Sequence, residues 1–372
     1  MTLILGIETS CDETAVAVVE DGIRVLSNTI ATQHDLHARY GGVVPEIASR
    51  AHLEKILPTI TQSLHDADIS LSDLHAIAVG NRPGLIGSLL VGVSAAKALA
   101  WAIQKPLLGV DHVHAHLYSP FLSSVSSETP STWANPSSSP LQLSNAFPAL
   151  GLVVSGGHTS LYQLSSPLHI QLLGKTIDDA VGEAYDKAAA ILGLPHPGGP
   201  NLDHLAQSPS ANPSRFELPR SLLAKDSLDF TFSGLKTALL YKVRGFPQGR
   251  GPSATFIKSH HDLSDQDRTD LAACFQHTAI DILLTKLRRA LQFMQEQNTP
   301  ARSILVGGGV SANSLLRMRI AQLAQKHHLL LGLPPMPYCL DNAAMIAGLA
   351  YTKLSLDHQD DLFLPAIATV AR

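Results

Sequence analysis

The stretch GVDHVHAHLY, residues 109–118, sets three imidazoles at alternate positions: His112, His114 and His116. Extended backbone would turn all three to one face, because strand side chains alternate with period two. Helical backbone would stack only His112 and His116, one turn apart, and send His114 elsewhere. Pro106 opens a short apolar run that ends near Val110, and Asp111 stands where a helix N-cap stands. The spacing therefore predicts a helix that presents two imidazoles together. Neutral imidazole pairs bind metals, while a helix start with solvent-facing histidines is the plainer reading of the same residues. A third donor has to come from far along the chain. The best candidate is Asp341 in CLDNAAMIAG, just after a proline-rich turn, where a helix N-cap is its ordinary role. Two histidines and an aspartate with open positions suit zinc or ferrous iron that still binds a substrate oxygen.

Other carboxylates and glycines invite the same question. In TIDDAVGEAYDKAAAILGL, the residues Asp178, Asp179 and Glu183 read as an acidic helix start, which the helix dipole favours. Asp186 lies within the apolar part of that helix, where a carboxylate accepts hydrogen bonds from a ribose or an ammonium group. HPGGPNLD, residues 196–203, reads as a glycine turn on which a ligand ring can rest, and DFTFSGLKTALL as a strand-to-helix turn with a surface lysine, Lys236. Three apolar strands leave through turns of small residues: 3–7 into ETSCDET, 152–154 into SGGHTS and 303–306 into GGGVSAN. Such exits expose backbone N–H groups and let a phosphate or nucleotide approach the main chain. One is an ordinary turn; three in this order, on two lobes, point to a nucleotide.

These residues need a scaffold of some size. A chain of 372 residues exceeds one ordinary core and suggests two lobes. It opens with three meandering strands, followed by a helix from Pro45, a strand at HAIAVG, a helix over 88–104 and a strand at PLLGV. The apolar run 88–103 is interrupted by Lys97 and reads as a buried helix rather than a membrane span. Residues 122–147, rich in Ser and Pro, read as an exposed loop, and 245–262 as a second insertion. The expected division is an N-terminal lobe over 1–121, the loop insertion 122–147, a C-terminal lobe over 148–340, and a helical segment 341–372 returning to the first lobe. The strand–turn–strand unit after 148 echoes the one at residue 3, so the lobes should share a topology.

With 27 basic against 31 acidic residues, a net charge of −4 argues against a protein that coats nucleic acid through a basic surface. Three scattered cysteines, Cys11, Cys274 and Cys339, suit a reducing compartment. MTLILGIETS reads at once as a strand, so a cytoplasmic protein is expected.

The set GIETSCDETAVAV, YGGVVPEIASRAH, GVDHVHAH, VVSGGHTSL, DDAVGEAYDKAAAILGLPHPGGP, DFTFSGLKT, GGGVSAN and LDNAAMIA resembles the tRNA N6-adenosine threonylcarbamoyltransferase family, in order and over nearly the whole chain. The three strand exits are likewise similar to those of the actin, Hsp70 and sugar-kinase superfamily. The fold expected is therefore α/β and two-lobed, with a nucleotide cleft between the lobes. The resemblance implies transfer of the threonylcarbamoyl group of threonylcarbamoyl-AMP to N6 of adenosine 37, in tRNAs reading codons that start with A. It implies one divalent metal, Fe2+ or Zn2+, on His112, His116 and Asp341. It implies substrate contacts from Val153, Val154, Ser155, Gly156, Gly157, Asp186, Gly199 and Asn313. It also implies tRNA as partner, together with a shorter TsaB-like paralogue of the same fold and a small TsaE-like ATPase, and no membrane. Asp12 and Glu13 are candidates for a general base by placement alone. The chain departs from the family pattern at Arg82 in GNRPGL, at Ala343, in the long Ser/Pro insertion and in its final residues.

Rival readings differ in chemistry. A metallopeptidase of the HExxH kind needs a glutamate between its histidines, and here that position is Val113. A superfamily ATPase or kinase, or a nucleotide-binding scaffold, needs neither the paired histidines nor the distant aspartate.

Overall fold

A computed structural model describes residues 1–38, 40, 42–124, 141–249 and 255–368. Most of the Ser/Pro insertion, part of the second insertion and the last four residues lie outside the described residues. The chain divides into two compact units: Met1–Ser144 with Ser165–Ile170 and Gly332–Arg372, and Asn145–Leu164 with Gln171–Leu331.

The first unit opens with β1 (Leu3–Glu8), β2 (Glu13–Glu20) and β3 (Arg24–Thr32), an antiparallel meander. Then come α1 (His34–Ala38), α2 (Pro45–Asp66), β4 (Ala76–Arg82), α3 (Ile86–Ile103), β5 (Leu107–Asp111), α4 (His112–His116) and β6 (Ser123–Ser124). The sheet order is β5-β4-β1-β2-β3-β6, with β4 parallel to both β1 and β5. β1 is buried along its whole length because both its faces are covered. Leu3, Leu5 and Ile7 pack with Ile56 and Ile60 of α2 and with Val93, Ala96 and Ala100 of α3. On the other face Gly6 lies against the last helix of the chain, Ala343–Leu354, so closely that a Cβ there would collide with the Ala343 carbonyl. Even-numbered positions of β1 thus face that helix, and Glu8 is one of them.

α3 is long and apolar enough to cross a membrane by length and composition, the only such helix among the described residues. The expectation of a buried helix holds for one side of it. Leu89, Val93, Ala96 and Ala100 are buried, whereas Ile86, Leu90 and Trp101 are exposed.

The second unit contains β7 (Ala149–Val154), β8 (Thr159–Leu164), β9 (Ile170–Lys175), α5 (Val181–Ile191), α6 (Gly198–Ala206), α7 (Ser233–Arg244), α8 (Asp265–Glu296), β10 (Ser303–Gly307), α9 (Ser314–Lys326) and β11 (Leu330–Gly332). The helix Ala343–Leu354 is α10. The sheet order β11-β10-β7-β8-β9 places a parallel strand, the opening strand, its antiparallel partner and a third strand side by side, as β4-β1-β2-β3 does. The echo between residues 3 and 149 is therefore topological.

Candidate functional site

Asp111 ends β5 and caps α4, its Oδ1 accepting the N–H groups of Val113 at 3.0 Å and His114 at 3.1 Å. The cap makes the histidine run helical, so His112 and His116 share a face and His114 does not. Their rings meet edge-on at 79°, with centroids 4.8 Å apart. Asp341 joins them: its Oδ1 is 3.2 Å from His116 Nε2 and 3.6 Å from His112 Nε2. One donor atom from each of the three lies within 4.8 Å of the others. The ordinary role suggested for Asp341, capping the following helix, belongs instead to Asn342, whose Oδ1 accepts the Met345 N–H at 2.9 Å. The Asp341 carboxylate approaches both histidines.

The donor set fits a metal ion. His116 is fully buried, yet among the described residues neither ring nitrogen has a hydrogen-bond partner. The approach of Asp341 is close but not aligned as a hydrogen bond. A buried polar nitrogen without a partner carries a desolvation cost of about 1–3 kcal/mol, which a bound cation would remove. Burial holds the His116 pKa below its usual value, so the ring is neutral and has a lone pair to give. Burial also opposes charge on His112, but the Glu8 and Asp341 carboxylates prevail and lift it to about 10.

Sequence reading missed the groups around these three side chains. Glu8 Oε2 is 3.0 Å from His112 Nδ1, and the Ser10 Oγ is 3.3 Å from the same nitrogen. The turn after β1 is clamped by buried His52 of α2, whose Nε2 donates to the Cys11 carbonyl at 3.0 Å while Nδ1 meets the Thr14 hydroxyl at 2.8 Å. Their only sequence signal is polar side chains within or beside apolar elements, in ETSCDET and EIASRAH. In that turn, burial and then the Asp341 and Asp12 carboxylates push Glu13 up to about 9. A carboxyl held there is protonated at neutral pH, so it has a hydrogen to donate.

In the second unit, Val153 and Val154 are buried at the end of β7, and Ser155 closes the turn, its Oγ accepting the His158 N–H at 3.0 Å. Gly156 and Gly157 are exposed, and a Cβ on either would meet nothing within 4 Å. Their main chain is open to a ligand. Beside them, Gly308 at the exit of β10 has φ +91°, and a Cβ there would collide with the Val154 carbonyl. The third exit thus packs against the second.

HPGGPNLD is not a free glycine turn: its glycines begin α6, and Gly198 allows that helix to press against Asp186 of α5, which takes the Gly199 N–H on Oδ1 at 3.1 Å. Asn313 caps α9 through Oδ1 and donates from Nδ2 to Gln276 Oε1 at 2.9 Å. Gln276 in turn donates to Asp203 at 3.0 Å. Asp203 and Gln276 are further polar groups that sequence reading did not single out. Asp178 and Asp179 precede α5 rather than lying in it. Asp178 accepts from Phe232 N at 2.9 Å and Ser233 Oγ at 2.6 Å, and Asp179 pairs with Lys236 at 2.6 Å. Lys236 is therefore no simple surface lysine, because it fastens two motifs together.

Comparison with known proteins agrees with the motifs. The family model for tRNA N6-adenosine threonylcarbamoyltransferase (TsaD) matches residues 24–348. A protein of that name from Trichlorobacter lovleyi is 47% identical over 367 residues, covering 99% of this chain and 96% of the relative. One from Dehalococcoides mccartyi is 46% identical over 371 residues, covering 99% of each. Among solved structures, full-length HypF in its phosphate- and nucleotide-bound form aligns with a TM-score of 0.52 at 12% identity, covering 95% of this chain and 55% of HypF. That likeness shows the fold, α/β with paired related sheets. The chain belongs to the tRNA N6-adenosine threonylcarbamoyltransferase family.

Proposed function

We propose that the chain carries out its family's reaction with one divalent ion, Fe2+ or Zn2+, on His112, His116 and Asp341, and with threonylcarbamoyl-AMP as donor. The reaction, transfer of a threonylcarbamoyl group to N6 of an adenosine in tRNA, makes it an acyltransferase. The acceptor in this reading is adenosine 37, in tRNAs that read codons starting with A. A shorter TsaB-like paralogue and a TsaE-like ATPase are its partners, and a tRNA substrate puts the work in the cytoplasm.

In the transfer, a bond forms between N6 and the carbamoyl carbon, the bond from that carbon to the AMP phosphate oxygen breaks, and N6 loses a proton. N6 of adenine is a poor nucleophile, so rate has to come from positioning and from stabilising the charge that develops on oxygen. The ion, when bound, supplies Lewis acidity toward phosphate or carbamoyl oxygens. The open main chain at Gly156 and Gly157, following Val153, Val154 and Ser155, is suited to hold the donor's phosphate through N–H groups. Asp186, Gly199 and Asn313 are the further donor contacts in this reading. Asp186 would keep its bond to Gly199 N and receive a ribose hydroxyl on its remaining oxygen.

The observation that carries this reading is buried His116, with neither nitrogen hydrogen-bonded, beside His112 and Asp341. A kinase or scaffold has no use for that arrangement. The purified chain, its two partners, threonylcarbamoyl-AMP and unmodified tRNA should yield the modified nucleoside, read by mass spectrometry. His116→Ala should lower the yield about 100-fold or more, the scale of losing electrostatic stabilisation at a reacting centre. Wild-type yield from H116A would refute the reading.

A further inference from the structure

Glu8 is 1% exposed at the end of β1 and has no role in the transfer described so far. A carboxylate buried this deeply needs partners, and it has two: Oε1 accepts the Ser10 N–H at 2.5 Å, and Oε2 lies 3.0 Å from His112 Nδ1. The neighbouring strand makes room for it. A Cβ on Gly80 of β4 would collide with Glu8 Oε2, so a larger residue there would have to displace the carboxylate. Its target is specific as well. His112 presents Nδ1 to Glu8 and Nε2 to Asp341, whereas His116 has no carboxylate on its Nδ1 among the described residues. Histidines that ligate a metal through one nitrogen commonly donate the other N–H to a carboxylate or carbonyl, which fixes the ring and strengthens the donor.

We propose that Glu8 is a positioning residue of the metal centre: it accepts the N–H at Nδ1 of His112, turns Nε2 toward Asp341, and makes His112 the pre-oriented ligand of an unequal pair. This rests on reading His112, His116 and Asp341 as ligands. Ser10 supports the arrangement twice, through its N–H to Glu8 and its hydroxyl beside Nδ1. Gly80 is the space that admits the carboxylate, and His116 has no such partner on its Nδ1 among the described residues.

The test loads the full chain with Co2+ as probe and follows its visible absorption and dissociation constant, with circular dichroism to check folding. Wild type should bind one ion, and H116A should bind none. E8Q fills the same volume without the charge, and it should fold, keep one site, bind about tenfold more weakly and show a shifted visible band. E8A should lose about 100-fold, the two spanning the roughly 10–100-fold range of such outer partners. E8Q with wild-type affinity and an unshifted band would overturn the role of Glu8 while leaving the ligands standing. Wild type binding Co2+ no better than H116A would instead overturn the ligand reading and Glu8 with it. If E8A fails to fold, E8Q decides.

Discussion

His112 and His116 stand one helical turn apart and titrate in opposite directions, His112 lifted to about 10 against the pull of burial by Glu8 and Asp341, and His116 lowered by burial. At neutral pH His112 therefore carries a proton on each nitrogen, and the one on Nε2 has to leave when an ion arrives. Calorimetric titration of the chain with Zn2+ near pH 7.5, in buffers of different ionisation enthalpy, should show release of about one proton per ion. Affinity should climb as pH rises toward 10, and constant affinity from pH 6.5 to 9 would contradict this assignment. Stability without metal follows the same groups. A histidine raised from about 6.5 contributes fully below that pH and loses its contribution as pH rises through its folded value of about 10. Glu13, raised to about 9, has the same sign above neutrality, since the unfolded chain releases that proton first. His116 and His52, both lowered, act oppositely and cost stability as pH falls below about 6.5. The metal-free melting temperature should thus decline from about pH 7 to 10.

At the scale of elements, the site depends on how closely α10 seats on β1, because Asp341 hangs from the start of that helix. Gly6 sets the seat. Gly6→Ala places a methyl into the Ala343 carbonyl, which is backbone and can yield only by moving the helix. Overpacking of this kind costs about 1–3 kcal/mol, and Zn2+ affinity should fall with it, read by thermal melt and titration on the same sample. Unchanged affinity would mean that the seat does not position Asp341. How far the sequence reveals these elements follows from where their forces lie. The five-residue α4 was legible because its cap, Asp111, is adjacent in sequence, and β1 because burial on both faces leaves an unbroken apolar run. The start of α5 was not legible. Asp178 looks like a helical acid, but it is held before the helix by backbone and hydroxyl groups more than fifty residues away. Glu8 is alike, with a partner 104 positions distant, whereas Asn342 takes the cap from Asp341 locally, by accepting the N–H of Met345 three residues on. The three candidate ligands could be named because two imidazoles stand one turn apart and Asp341 follows a proline-rich turn at a helix start, and the structure brings the three together. Their support is long-range and needed coordinates.

Over the whole molecule, one strand arrangement is used twice with different chemistry. In the first unit the exit of the opening strand carries Glu8 and Ser10 and serves the histidine–aspartate cluster. In the second the equivalent exit carries Gly156 and Gly157 and offers bare main chain. In the proposed reading the first edge holds the metal and the second the donor's phosphate, and a net charge of −4 leaves tRNA recognition to local contacts or partners. The central claim is that one ion on His112, His116 and Asp341 is required for the transfer. Its most direct test strips the chain with a chelator and titrates Zn2+ or, anaerobically, Fe2+ into a single-turnover reaction with donor, tRNA and partners. Modified nucleoside should rise with added ion and saturate at one ion per chain, and H112A, H116A and D341A should stay about 100-fold or more below wild type at any loading. Full product from the stripped chain, or from any of the three variants, would contradict the account.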